Sequence, residues 1–77
     1  MIIGKWNGEW GEITNKDGNT VKNYKHMIYR DGHWCGNKAR ETHVHLECGW
    51  SDQIISVTES STCTYVFKFS TLLACIL

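Results

Sequence analysis

The chain of 77 residues contains no proline. The extended, ring-stiffened segments that proline-rich linkers and ligands form are therefore not encoded. Net charge is also missing, since eight basic side chains stand against eight acidic ones. Such a balance lacks the basic footprint that nucleic acid or an anionic membrane surface demands. Long apolar runs are absent too. The longest is Leu72-Leu73-Ala74-Cys75-Ile76-Leu77, against roughly 20 residues for a spanning helix. At the other end, Met1-Ile2-Ile3 passes at once to Gly4-Lys5-Trp6, without the apolar core of a signal peptide. A secretory protein would be represented here by a mature part or a fragment. Finally, no two cysteines lie close together. A zinc ribbon or finger needs one tight pair, because two ligands must converge on the ion from a single turn.

What is present is four cysteines, four tryptophans and seven glycines. One domain of this size buries only about 60% of its surface and is marginally stable. It leans on disulfides, a metal or a partner. Cys35, Cys48, Cys63 and Cys75 are 13, 15 and 12 positions apart. Wide spacing in a short chain favours two disulfides and an oxidising compartment. Four cysteines allow three pairings, and spacing does not choose among them. Two near misses for a metal remain, His33-x-Cys35 and His43-x-His45, each able to place two side chains on one strand face. A solvated strand face is the plainer reading of the histidine pair. No metal or cofactor is expected.

Residues 1–20 differ from the rest. Gly4, Gly8, Gly11 and Gly18 alternate there with Asn7, Asn15, Asp17 and Asn19, which is turn chemistry. This stretch reads as a Trp- and Gly-rich lead-in that Trp6 and Trp10 anchor to something apolar. Residues 21–77 read as the β core. Asp17-Gly18 and Asp31-Gly32 signal turns. Thr42 to Cys48 alternates, with Val44, Leu46 and Cys48 on one face and His43, His45 and Glu47 on the other. Cys63 to Phe69 repeats the pattern, with Cys63, Tyr65, Phe67 and Phe69 inward. Gln53 to Thr58 and Tyr24 to Tyr29 supply two further strands. No window shows a helical period. The expected class is all-β, a meander, sandwich or flattened barrel.

Catalytic groups do not assemble. Ser60, Ser61 and Thr62 form a turn after Glu59 without a Gly-x-Ser-x-Gly elbow. Glu9, Glu12, Glu41, Glu47 and Glu59 are scattered, and nothing pairs them into a glycosidase dyad. Cysteines held in disulfides are not nucleophiles. A non-enzymatic binding module is the better fit to a rigid, crosslinked, aromatic-rich β scaffold.

One stretch says more. The chain runs Tyr29-x-x-Gly32-x-x-Cys35, then Arg40, Val44-x-Leu46-x-Cys48-Gly49, Val57-x-Glu59-x-Ser61-x-Cys63-x-Tyr65-x-Phe67 and Ala74-Cys75. This resembles the mannose-6-phosphate receptor homology (MRH) family of lectin domains. The Trp- and Gly-rich opening is most similar to the glucosidase II beta subunit branch. The branch of the gamma subunit of the lysosomal-enzyme phosphotransferase comes second. The resemblance implies an antiparallel flattened barrel or sandwich stapled by the crossed pairs Cys35–Cys63 and Cys48–Cys75. It implies a mannose site in which Arg40, Glu59 and Tyr65 match three of the family's four sugar contacts. The fourth, a Gln on an early strand, has no match, and Gln53 is on the wrong strand. The proline usual before the last Ala-Cys is also replaced, by Leu73. The single domain is thus expected to be incomplete at its N-terminus.

Chemically the three side chains suit a hexose. The Arg40 fork can bridge vicinal hydroxyls, the Glu59 carboxylate can accept from two of them, and Tyr65 can do either. Trp34 and Trp50 are candidate flanking aromatics. The implied function is non-catalytic recognition of terminal mannose on high-mannose N-glycans in the endoplasmic reticulum lumen, beside a catalytic alpha subunit or another protein partner. Two other readings stay open: a remnant that serves as an interaction or structural module without sugar binding, and a small metal-binding module using His43, His45 and nearby cysteines.

Overall fold

A computed structural model of the chain describes residues 1–76. Seven strands and one 3₁₀ turn account for most of it: β1 (Lys5–Thr14), β2 (Thr20–Arg30), β3 (Trp34–Cys35), β4 (Lys38–Ala39), β5 (Glu41–Cys48), β6 (Gln53–Ser61), β7 (Thr64–Thr71) and the turn Leu72–Cys75. Five strands form one sheet in the order β1-β2-β5-β7-β6, and β3-β4 form a small hairpin beside it. The molecule is a slab of 38 × 33 × 20 Å. Among the described residues the main sheet does not close on itself, so β1 and β6 are its edges.

The all-β, doubly crosslinked class expected from the sequence is the one observed, and the four expected segments are strands, except that Cys63 falls in the turn before β7 instead of on its inner face. Their limits widen. The Tyr24–Tyr29 segment lies within the eleven-residue β2, and the Gln53–Thr58 segment extends through Ser61. The expected turn at Ser60 to Thr62 accordingly shrinks to Thr62-Cys63.

The largest departure concerns residues 1–20. Where turn chemistry suggested a lead-in, Lys5–Thr14 form a ten-residue strand. Gly8, at φ 76°, occupies the register shift between Trp6 and Glu9, a bulge position that favours glycine. Gly11 lies against the His26 imidazole, where a Cβ would collide with the ring. Glycine inside a strand often marks such a bulge or close approach rather than a turn. Trp6 and Trp10 do anchor the segment, packing edge-on to each other at 5.1 Å and against Tyr29 and Tyr24 at 5.2 and 5.1 Å.

Pairing is antiparallel except for β5 and β7, which run parallel from Glu41↔Thr64 to Cys48↔Thr71. Strand β6 starts opposite Ser70, near the same sheet end at which β5 stops. The chain between Cys48 and Gln53 therefore skips one strand position, and β7 fills the gap. The two sheet faces then differ sharply. Register places Tyr29, Thr42 and Tyr65 on one face, followed by Met27, Val44 and Phe67. The opposite face carries Ile28, His43 and Val66, then His26, His45 and Lys68. Large side chains on the first face line cavities of about 240 and 510 Å³ rather than a closed core. Among the described residues, the buried apolar side chains are Ile28, Cys63 and Ala74.

Crosslinks reinforce this thin architecture. Cys35–Cys63 ties the β3-β4 hairpin to the β6-β7 turn, with Cα atoms 6.1 Å apart. Cys48–Cys75 ties the end of β5 to the 3₁₀ turn, at 4.5 Å. Loops of 28 and 27 residues make each bond worth about 3 kcal/mol through the unfolded chain.

Candidate functional site

The β3-β4 hairpin turns at Gly36-Asn37, with Gly36 at φ 65°. It folds back so that the Gly32 amide donates to the Arg40 carbonyl at 2.8 Å and the Arg40 amide to the His33 carbonyl at 3.1 Å. Arg40 is thereby fixed where the hairpin feeds β5. Its Nη1 donates to the carbonyls of His33 (3.3 Å) and Trp34 (3.1 Å), and its Nε donates to the Tyr65 hydroxyl at 3.3 Å. Hairpin carbonyls hold the guanidinium, while Nη2 makes no hydrogen bond among the described residues.

Tyr65 pairs directly with Glu59 across β7 and β6. Just beyond, the chain reverses through Thr62-Cys63, with Cys63 at φ 70°. That left-handed second position is usual for Gly or Asn in a type II turn. Here the disulfide to Cys35 and a hydrogen bond from the Cys63 amide to Glu59 Oε2, at 2.9 Å, hold it. Glu59 thus has a structural task as well, since one carboxylate oxygen closes the turn. Its Oε1 faces no donor among the described residues.

Arg40 and Tyr65 are therefore in direct contact, and Glu59 is the cross-strand neighbour of Tyr65. Arg40 is thus brought to a residue 25 positions away, and the hairpin pair Glu59 and Tyr65 lies at the same end of the sheet. The group offers a guanidinium N–H, a phenol O–H and a carboxylate oxygen, which are complementary to a polyhydroxylated ring.

The two tryptophans part company. Trp34, 69% exposed, lies on the hairpin whose carbonyl accepts from Arg40. Trp50, 92% exposed, lies beyond the other end of β5. An eight-residue strand separates it from Arg40 by roughly 26 Å, so it does not flank these groups. Gln53, opposite Ser70, is at that far end too.

Sequence reasoning missed the polar cluster beside the site. Arg30 makes a bidentate pair with Glu9 (2.7 and 3.0 Å) and reaches Glu41 at 2.7 Å, joining β1, β2 and β5. The Glu9 carboxyl is held below its ordinary range, chiefly by that hydrogen bond, and the Arg30 guanidinium is raised for the same reason. Lys38 Nζ donates to Thr64 Oγ1 at 3.0 Å, adding a tie between the hairpin and β7. The partners lie 11 to 26 positions apart, and no local spacing pattern announces such pairs.

This crosslinked, nearly all-β fold is one shared with solved MRH domains. The crystal structure of the MRH domain of glucosidase II beta bound to mannose superposes with a TM-score of 0.61 at 24% identity, over 97% of this chain and 93% of that one. A solution structure of the same kind of domain, a tryptophan-to-alanine mutant, gives 0.62 at 24%, over 97% and 98%.

Residues 9–77 match the family described as glucosidase II beta subunit-like protein, and the chain belongs to that family. It is 42% identical over 74 residues to the human N-acetylglucosamine-1-phosphotransferase subunit gamma. It is 33% identical over 66 residues to glucosidase 2 subunit beta of Schizosaccharomyces pombe. Those matches take in 96% and 84% of this chain but only 22% and 12% of the relatives' lengths.

Proposed function

We propose that this module is a non-catalytic lectin that recognises terminal mannose on high-mannose N-glycans. The observation that carries the reading is the meeting of Arg40 and Tyr65 at 3.3 Å, with Glu59 the cross-strand partner of Tyr65, in a chain of the MRH family. Arg40 Nη2 and the Tyr65 proton serve as donors, and Glu59 Oε1 as acceptor. Together they read two adjacent hydroxyls of the ring. An epimer with one hydroxyl misplaced leaves one of these groups unpaired, which gives the selectivity. With few contacts and an open, polar setting, affinity falls in the micromolar-to-millimolar range, about 4–8 kcal/mol.

Two disulfides and the kinship with glucosidase II beta and phosphotransferase gamma support a place in the secretory-pathway lumen. Within it, the endoplasmic reticulum fits best. There the module would present glycans to a catalytic subunit, as the kinship with a subunit of glucosidase 2 suggests.

The test is a titration of the oxidised chain with an α-linked mannose disaccharide, followed by amide NMR shifts. Saturable shifts are expected around Arg40, Glu59 and Tyr65, with an equivalent glucose disaccharide inert. Tyr65→Phe, which removes only the hydroxyl, should weaken binding about tenfold or more, since hydrogen bonds in charged networks carry ~1.5–3 kcal/mol. No saturable shift up to about 10 mM sugar, well above the weak limit of this range, would leave the interaction-module reading in its place.

A further inference from the structure

The chain holds one Asn-Gly pair, Asn7-Gly8, and two Asp-Gly pairs, Asp17-Gly18 and Asp31-Gly32. In such pairs the side-chain carbonyl carbon can close a five-membered ring with the next backbone nitrogen, because glycine has no Cβ to block the approach. The fold restrains both Asp-Gly pairs. The Gly18 amide donates to the Asn15 carbonyl at 3.0 Å, and the Asp17 carboxylate accepts from the backbone and side chain of Asn19, both at 3.2 Å. The Gly32 amide donates to the Arg40 carbonyl at 2.8 Å.

Asn7-Gly8 is placed differently. Register passes from Trp6↔Tyr29 directly to Glu9↔Ile28, so neither Asn7 nor Gly8 has a partner on β2. Both residues are exposed on the edge strand β1. The Asn7 carboxamide makes no hydrogen bond among the described residues. Beside Gly8, at φ 76°, a Cβ would meet no atom within 4 Å. The strand is held on either side of this bulge, by Trp6 against Tyr29 at 5.2 Å and by Glu9 on Arg30 at 2.7 Å. The other asparagines, at 15, 19, 23 and 37, precede Lys16, Thr20, Tyr24 and Lys38, whose Cβ atoms crowd the backbone nitrogen. Two of them are also engaged, Asn19 Nδ2 on Asp17 at 3.2 Å and Asn23 Oδ1 accepting from the Lys25 amide at 3.0 Å.

We propose that Asn7 is a site of spontaneous deamidation through a succinimide, with water as the co-reactant. The Gly8 nitrogen gives its proton to a base and bonds to the Asn7 side-chain carbonyl carbon. The bond from that carbon to the side-chain nitrogen breaks, and the nitrogen leaves as ammonia with a proton from water. Water then opens the ring. Cleavage at the side-chain carbonyl gives aspartate, and cleavage at the main-chain carbonyl gives isoaspartate. One water is consumed, one ammonia is released, and nothing is oxidised or reduced. The product carries one more negative charge than the balanced parent chain. Isoaspartate also adds one carbon to the backbone path, at a point where β1 already carries two residues outside the ladder. None of Arg40, Glu59 and Tyr65 takes part, so the outcome does not depend on sugar binding.

The experiment holds the oxidised chain at mildly alkaline pH, folded and in urea, and follows the tryptic segment Trp6–Lys16 by mass spectrometry. A gain of one mass unit is expected, which fragment ions assign to Asn7 and not to Asn15, as a mixture of aspartate and isoaspartate. The folded chain should react within about tenfold of the rate in urea, an added barrier of at most about 1.4 kcal/mol. Asn15, Asn19, Asn23, Asn37 and both Asp-Gly pairs should be unchanged over the same interval. Asn7→Gln should remove the mass gain at that position, because its ring closure needs six members. The parent chain is read directly, so a poorly folding variant does not obscure the answer. Protection of Asn7 beyond about tenfold on folding, earlier change at any of the other positions, or aspartate without isoaspartate overturns the proposal.

Discussion

Glu59 has a structural task whatever else it binds. One of its oxygens closes the β6-β7 turn at 2.9 Å, and the residue itself pairs across the strands with Tyr65. In the sequence, a turn residue and a sugar ligand are competing readings of Glu59, whereas the structure makes the first compatible with the second. Gly11 is a comparable case. Its type looked like turn chemistry, yet its task is to let the His26 ring lie against β1. Gly11→Ala is expected to destabilise the fold by about 1–3 kcal/mol through overpacking, read as a lower urea midpoint. An unchanged midpoint would mean that His26 rotates away without cost. What was legible at this scale was residue chemistry at set offsets, as with Arg40, Glu59, Tyr65 and the cysteines. What was not legible was contact across strands, as between His26 and His43 or Arg30 and Glu9, because strand partners carry no local signal.

At the scale of elements, alternation found the strands but not their neighbours. Val44, Leu46, Phe67 and Phe69 announce two one-sided strands, yet the same pattern suits parallel and antiparallel partners. Only the course of the chain between Cys48 and Gln53 makes β5 and β7 parallel. The last strand of the sheet order, β6, has an open edge and exposes Ile54, Ile55 and Val57 at 58, 48 and 53%. Ile55 falls in the register shift between Ile54 and Ser56 and has no cross-strand partner. An exposed apolar edge of this kind templates pairing with another chain. Ile55→Lys should therefore suppress concentration-dependent light scattering while moving the urea midpoint little, within about 0.5 kcal/mol of stability. Scattering equal to that of the parent chain would show that association uses another surface.

For the whole molecule, the histidine face sets a pH dependence. His26 and His45 titrate below the ordinary imidazole value of 6.5. Burial is the leading cause for both. His45 and His43 add to it at His26, opposed by Glu9, while His43 and Lys68 add to it at His45. Unfolding frees both rings to take up protons at their ordinary value, so between the two values the unfolded chain binds more protons than the native one. Their contribution is then complete above 6.5 and declines as pH falls through and below that value. Urea midpoints are expected to drop between about pH 7.5 and 5.5, and His26→Gln should flatten the curve. A flat profile in the parent chain would contradict the assignment. Glu9, held low by Arg30, adds a second decline only below the ordinary carboxylate range.

The sequence by itself determined the class of this protein. Period-two alternation, four spaced cysteines and the joint offsets of Arg40, Glu59 and Tyr65 are local or combinatorial signals that survive without coordinates. The tertiary structure decided which groups touch. It brought Arg40 to Tyr65, sent Trp50 to the far end of β5, turned a glycine-rich stretch into β1, and gathered three histidines from two strands. The physical reason is the geometry of the sheet. Which face a residue occupies follows from parity along its own strand, but its neighbours depend on strand order and register, which are fixed only when the whole chain has folded.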